Sequence, residues 1–270
     1  MRYTQAPDRR RELLRRVSEA GYVASGDAAT ALGVSEMTIR RDLRQLAAEG
    51  LVNRVAGGAS LPTAASGAPF EERRDAAPTE KEAVARAAVP LVSSDAVVAL
   101  DAGTTVAAMA AQLPGGRTVV THSVPVIQVC AARTDIDLIA LGGAYHAATR
   151  SFTGPITRAS LEDLAVDVAV LSATAAGPTG VYSANASDAD TKRAMARSAA
   201  RVILLLDHGK LTARAPMRFL DLASVDAVVI DAGASAAQVE RLRAVCREVV
   251  VAPLVPDQRS AGEPARTAAR

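Results

Sequence analysis

The chain has 270 residues, 49% of them hydrophobic, and a formal net charge of +2. Enough apolar surface is available to bury that a low-complexity disordered chain is excluded, and at ~100–200 residues per domain the length allows one large domain or two unequal ones. No apolar run approaches the ~18–20 residues of a membrane span, the start MRYTQAPDRRRELL lacks the hydrophobic region of a secretory signal, and Cys130 and Cys246 form no C-x-x-C or zinc spacing. These features read as a cytoplasmic protein with free buried thiols, no cofactor and no membrane partner.

Positive charge is carried by 28 Arg against 3 Lys, a bias that, with 59 Ala, is expected of a GC-rich genome. Placement says more than abundance. Residues 1–60 hold 10 Arg and 7 Asp or Glu, a net of +3, whereas the remainder nets −1. A small basic head on a near-neutral body is the pattern of a nucleic-acid reader joined to something else. Only 4 Tyr, 3 Phe and no Trp are present, which argues against base stacking on single strands and for duplex DNA.

In chain order, Asp8–Ala20 reads as a helix with Leu13, Leu14 and Val17 as its apolar stripe, ended by Gly21. A short helix follows from Gly26 to Leu32, with Ala28, Ala29 and Leu32 inward. Gly33-Val34-Ser35 forms a tight turn, and Ser35 caps a third helix, Glu36 to Ala48. Helix, glycine turn, helix is the spacing of a helix-turn-helix. Ile39, Leu43 and Leu46 form the buried stripe of the third helix. Met37, Thr38, Arg41, Arg44 and Gln45 project outward, with Arg40 at the flank. Arg on such a face reads guanine or neutralises phosphate, and Thr or Met touches a thymine methyl. Leu51–Val55, containing Arg54, and Gly57-Gly58 then read as a wing. The candidate DNA-binding residues are Ser35, Met37, Thr38, Arg40, Arg41, Arg44 and Arg54.

Ser35-Glu36-Met37-Thr38-Ile39-Arg40-Arg41-Asp42-Leu43, with Glu49-Gly50-Leu51 and Gly57-Gly58-Ala59, resembles the N-terminal signature of the DeoR family of bacterial transcriptional regulators. One departure is Asp27-Ala28-Ala29, where the family commonly has an acidic residue, Leu and Ala.

Residues 60–69 have neither charge nor periodicity and read as a linker between a head at 1–59 and a body at 70–254. Residues 255–270, rich in Pro, Arg and Ala, read as a disordered tail. In the body, Thr79 and Glu82 suggest a capping box for a helix reaching Ala88. Strand-like runs follow at Val97–Leu100, Thr118–Thr121, Leu138–Leu141, Val166–Leu171, Val202–Leu206, Ala227–Ile230 and Val249–Val251. Helical stretches lie between many of them, at Val106–Leu113, Val124–Ala132, Ile156–Leu164, Asp188–Ala200 and Ser235–Val245. Apolar runs alternating with amphipathic helices imply an α/β fold with a mostly parallel sheet covered on both faces.

Ligands of such sheets gather at the carboxyl ends of the strands. There the chain places Asp101-Ala102-Gly103-Thr104-Thr105, Thr121-His122-Ser123, Gly142-Gly143 and Asp207-His208-Gly209-Lys210. Glycines and hydroxyls before helices offer donors to an anion. In an Arg-choosing chain, Lys192 and Lys210 stand out beside these turns as point contacts to phosphate or sugar oxygens; Lys81 reads as a solvated surface charge.

These residues, with Phe70-Glu71-Glu72-Arg73 and Glu80-Lys81, extend the resemblance through the C-terminal part, over roughly residues 9 to 231. It implies a sensor of the ribose-5-phosphate isomerase-like type that binds a phosphorylated sugar or related metabolite and controls a winged head as a repressor of a carbohydrate-metabolism operon. Carried over by position, the effector site is Asp101, Gly103, Thr104, Thr105, Thr121, Ser123, Gly142, Gly143, Lys192 and Lys210. His122, where the family usually has Asn, joins it as a departure, and His208-Gly209 stands where small hydroxyl residues are common. A metal site from His122, His146 and His208 has no supporting spacing motif, and neutral hydrogen-bonding histidines are the reading adopted. Were these histidines to face the phosphate, effector affinity would rise as pH falls from ~8 to ~6.

Palindromic half-sites require at least a dimer, so the expected partners are double-stranded operator DNA, a phosphorylated sugar and a second copy of the chain. The alternative is a sugar-phosphate isomerase or deaminase using the same pocket, with Asp101 or Asp207 as base. The chain has neither a G-x-S-x-G elbow nor a G-x-x-x-x-G-K-[ST] phosphate loop, and an enzyme has no use for the basic head.

Overall fold

A computed structural model of the chain describes residues 6–20, 22–48, 51–55, 57–60 and 68–254. The head runs α1 (Ala6–Ala20), β1 (Tyr22–Ala24), α2 (Ser25–Leu32), α3 (Glu36–Ala48), β2 (Asn53–Val55) and β3 (Gly58–Ser60). Its three strands pair antiparallel in the order β1-β3-β2. Gly33, at φ +67°, turns α2 off in the left-handed region that glycine enters at no steric cost. Two residues on, the Ser35 hydroxyl accepts from the Thr38 amide at 3.2 Å and starts α3. Leu13, Val17, Ala28, Leu32, Ile39, Leu43 and Leu46 close one core with Val52 and Ala59, the stripes read from the sequence. The wing has a third strand, β1, that the sequence reading lacks, because three residues carry too little pattern.

The body continues with α4 (Phe70–Asp75), α5 (Pro78–Ala88), β4 (Val97–Leu100), α6 (Thr104–Ala110), β5 (Thr118–Thr121), α7 (Val124–Ala131), β6 (Asp137–Ala140), β7 (Ala144–His146), β8 (Ser151–Thr153) and α8 (Pro155–Glu162). It then runs β9 (Val166–Ser172), β10 (Ala175–Gly177), β11 (Gly180–Ser183), α9 (Ala186–Ser198), β12 (Ala199–Leu206), β13 (Met217–Leu220), β14 (Ala227–Asp231), α10 (Ala236–Arg243) and β15 (Glu248–Ala252).

All seven expected strands join one sheet, ordered β15-β14-β12-β9-β4-β5-β6, and every pairing in it is parallel. Alternate residues go to opposite faces. Val98, Leu100, Val168, Val170, Ile203 and Leu205 pack under α5, α6 and α7, whereas Ala99, Ala169, Leu171, Leu204 and Ile230 pack under α8, α9 and α10. Burial on both faces is why the inner strands read as unbroken apolar runs, whereas the edge strand β6 is largely exposed.

The antiparallel pair β7-β8 and the small sheet β10-β11-β13 were not expected; they are short and lie outside the main apolar repeat. The capping box at Thr79 and Glu82 is not formed. Pro78, with its fixed φ, occupies the start of α5, so Thr79 falls inside the helix, and no side chain caps it. No described helix is long and apolar enough to cross a membrane. Gly21, Glu49, Gly50, most of the linker (61–67) and the tail (255–270) lie outside the described residues.

Candidate functional site

The exposed face of α3 carries Arg41 and Arg44, both exposed and without an ion pair to any described residue, and Met37, which is 71% exposed. Arg40, at the flank, is engaged by Glu36 one turn earlier, with Nε 3.0 Å and Nη2 2.6 Å from the same carboxylate oxygen. Ser35 and Thr38 share a hydroxyl hydrogen bond at 2.9 Å, so Ser35 shapes the helix start that presents this face. Arg54 lies on β2 opposite Ala59.

Beneath the face, Asp42 is buried and accepts from Arg9 Nε at 2.5 Å, tying α3 to α1. Sequence reasoning missed this pair. The signal was present: Asp42 follows Ile39 by three and precedes Leu46 by four, and Arg9 precedes Leu13 by four, so both lie on the apolar stripes.

In the body every parallel strand of the main sheet delivers its following loop to one edge. There Asp101, fully buried, sits between β4 and β9. Its Oδ2 accepts from the Ser172 amide at 3.0 Å, the Ser172 hydroxyl at 2.6 Å and Lys192 Nζ. Lys192 reaches it from α9, beside Asp188 at 3.7 Å and over the Phe219 ring at 5.7 Å. Burial alone would raise the Asp101 carboxyl; the Lys192 ammonium and His122 outweigh it and hold the group well below the usual carboxylate range.

Gly103 fits only because it lacks Cβ, which would lie 1.9 Å from Ser172 Oγ. Beyond it opens a cavity of about 50 Å3, room for a few waters at ~10–15 Å3 each. Its charged wall is Arg73, Asp188 and Lys192, and its polar lining includes His146, Thr149, Ser172, Thr174 and Asn185 beside Gly103. Asn185 caps α9 by accepting from the Asp188 amide at 2.9 Å, and the Ser183 hydroxyl donates to Asp188. Burial lowers the Arg73 guanidinium pKa from its ordinary value, partly offset by Asp188 and Asp101.

The fold thus brings Asp101, Gly103 and Lys192 together with Ser172, Arg73, His146 and Thr149, which the sequence reading did not select as site residues. The other expected positions are distributed along the edge. Thr104 and Thr105 open α6 and are buried. The Thr121 hydroxyl donates to Leu100 O at 2.6 Å, and Ser123 caps α7. Gly142 O accepts from Thr157, and Gly143 leads into β7. Lys210 is 3.8 Å from Asp207 and is not part of the cavity wall.

His122, fully buried, donates from Nδ1 to Phe152 O at 2.8 Å while Nε2 stands 3.6 Å from Asp101 Oδ1. It lies behind the cavity, whereas His208 hydrogen-bonds Asp231 at 2.8 Å, so neither lines the cavity and the expected pH effect through them loses its geometric premise. No three His, Cys, Asp or Glu among the described residues are placed to hold a metal ion. Lys81 is a correction: it is buried and donates to the carbonyls of Arg73 and Ala76, because α4 folds over it.

A larger groove of about 790 Å3 lies beside β10 and α10. Its Ser235 and Gln238 are engaged in the capping box of α10, and none of the buried unpaired polar atoms among the described residues belongs to its lining. The smaller cavity is the better candidate on those grounds. Asp101, held ionised, is poorly suited to accept a proton as a general base at neutral pH.

Two family descriptions match the chain: "DeoR-like helix-turn-helix domain" over residues 9–65 and "DeoR C terminal sensor domain" over 76–232. Among curated relatives, an "L-fucose operon activator" of Haemophilus influenzae is 31% identical, covering 81% of this chain and 89% of its own. A "Glycerol-3-phosphate regulon repressor" of Escherichia coli is 28% identical over 86% and 92%. A "Putative aga operon transcriptional repressor" of Escherichia coli O157:H7 is 30% identical over 93% and 95%. All three are named as regulators of an operon or regulon. Among solved structures, a D-ribose-5-phosphate isomerase in complex with phospho-erythronic acid overlaps 48% of this chain and 52% of its own at 21% identity and TM-score 0.37, too slight a likeness to carry an argument.

Proposed function

This chain belongs to the DeoR family of transcriptional regulators, and from that membership we propose that it is a repressor of a carbohydrate operon controlled by a phosphorylated sugar. In this reading residues 1–59 form the DNA-binding head and residues 70–254 the sensor. Arg41 and Arg44 contact bases or phosphates of double-stranded operator DNA, Met37 and Thr38 meet base edges, and Arg40 and Arg54 contact the phosphate backbone. The effector sits at the strand ends, with Asp101 accepting from its hydroxyls and Lys192 and Gly103 beside it. Two copies at least are needed to read a two-fold operator.

One observation carries this reading: surface arginines with no ion pair to a described residue, on a helix-turn-helix, occur in the same chain as a cavity walled by buried, oppositely charged groups. The first suits a polyanion of any sequence plus a few bases; the second suits a small polar ligand in one orientation. Their coupling requires that the ligand bind better to one arrangement of the protein than to another.

The test is gel-shift binding of the full chain to the DNA upstream of its own operon, with and without a panel of sugar phosphates. Specific binding that one phosphate ester alters supports the reading. Binding to no DNA, or binding that no ester alters, contradicts it.

A further inference from the structure

Among the described residues, four buried side-chain nitrogen or oxygen atoms have no hydrogen-bond partner: Arg73 Nη2, Asp101 Oδ1, Arg117 Nε and His122 Nε2. Folded chains rarely leave such groups unpaired, and three of these four lie at the sheet edge that carries the cavity. Asp101 Oδ1 and His122 Nε2 face each other at 3.6 Å behind it. Arg73 differs from both, because it lines the cavity itself.

The other cations nearby are engaged. Lys192 is bound to Asp101, and Arg150 Nη1 is 2.6 Å from Glu71. Arg73 has Asp188 and Asp101 as electrostatic neighbours but no carboxylate within ion-pair distance among the described residues. Its Nε donates to Ala68 O at 3.2 Å, and its guanidinium lies 5.7 Å from the Phe70 ring centre. The fork is thus held on one side while Nη2 stays unused. A planar guanidinium with a free arm is matched to an oxyanion. Asp188, in the same wall, accepts from hydroxyls, so the pair favours a ligand carrying both an anionic group and hydroxyls.

Arg73 stands on α4, the first described element after the winged head. Phe70 of α4 is buried, with the Arg150 guanidinium 5.9 Å from its ring centre, and Lys81 donates to the carbonyls of Arg73 and Ala76. The helix is therefore anchored to the body independently of any ligand.

We propose that Arg73 is a ligand-binding residue whose Nη2 donates to the phosphate of the effector, so that α4, the first described helix after the head, forms one wall of the effector site. This rests on the reading that the sensor takes a phosphorylated sugar. A ligand held from α4 touches the described helix nearest in sequence to the head, a place where a differential contact of the kind that coupling needs can act.

The experiment is calorimetric titration of the full chain with hexose and pentose phosphates, glycerol 3-phosphate and inorganic phosphate, beside the same polyols without phosphate. It compares wild type, Arg73→Gln, Arg73→Lys and, as control, Arg74→Gln, whose exposed side chain pairs with Glu71. Loss of a charge-assisted hydrogen bond should weaken the phosphate ester by about tenfold or more in Arg73→Gln. Arg73→Lys should recover part of this, Arg74→Gln should match wild type, and affinity for the bare polyol should move less than about twofold. Hydrogen exchange on the wild type supplies a second measurement that needs no variant to fold: the bound ester should slow the amides of Phe70–Asp75.

Wild-type affinity of Arg73→Gln for the ester, or α4 exchange unchanged by saturating ester, overturns this inference and leaves the sensor reading standing. A wild type that binds none of the esters overturns both.

Discussion

The head and the body use charged side chains in opposite ways. On α3, Arg41 and Arg44 are exposed with no ion pair to a described residue, and Arg40 has only a one-turn surface pair with Glu36. At the sheet edge, Asp101 and Lys192 are buried against each other and Asp188 closes the group. Exposed charges keep their hydration until a polyanion displaces it, so they favour DNA in general and read sequence only through a few bidentate contacts. Buried charges have already lost their hydration, so a ligand must replace the missing contacts in a fixed geometry. Broad electrostatic attraction and narrow chemical selection are thus kept apart along one chain.

The sharpest way to break this comparison is to unpair the body. Lys192→Met leaves Asp101 as a buried carboxylate without its cation, and denaturant unfolding should show a loss of about 3–5 kcal/mol. Adding Asp101→Asn should restore much of it, because the uncompensated charge is then gone. A loss below ~1 kcal/mol in the single variant would place the pair with ordinary surface bridges. The same pair sets an acid limit. The Asp101 carboxyl is held below its ordinary value of 3.8, so its stabilisation is complete above that value and is lost as pH falls through the lower folded one. Acid unfolding monitored in the body should therefore become steeper below about pH 4, and Asp101→Asn should flatten it.

In the head the expected effect falls on binding and not on folding. Arg41→Ala should weaken operator binding by about 1–3 kcal/mol in fluorescence anisotropy, and Arg44→Ala similarly if it reads a base; a pure phosphate contact instead lowers the salt slope by about one. Both should unfold within ~0.5 kcal/mol of wild type. A stability loss beyond that would show that the face is structural. Smallest of all, Ser35→Ala should cost the head about 1 kcal/mol through the lost cap, read by denaturant unfolding.

Much of the fold was legible because its elements repeat a strong pattern. Seven apolar runs became seven parallel strands, and α3 begins and ends at the residues that its cap and stripe indicate. The strands that escaped, β1, β7, β8, β10, β11 and β13, are three or four residues long, and the helix that escaped, α4, has six, too short for a period to register. The site was legible only where its residues follow strands directly, as Asp101 and Gly103 do, or stand out by type, as Lys192 does. Arg73, Ser172 and Asn185 reach the same cavity from three separate elements, and nothing local marks Arg73, among 28 Arg, as a residue that lines it. Lys81 misled for a related reason: a charge on a helix reads as solvated until the element that covers it is in place.

The central claim is that one ligand, bound at the edge of the parallel sheet, changes the affinity of a distant helix for DNA. The most direct measurement is the dissociation constant of the full chain for a duplex from its own upstream DNA, by anisotropy at fixed salt, without and with a saturating sugar phosphate. The account predicts a change of about 5–150-fold, the ordinary range of coupling between two sites. A ligand that demonstrably saturates the protein while DNA affinity stays within twofold would contradict it.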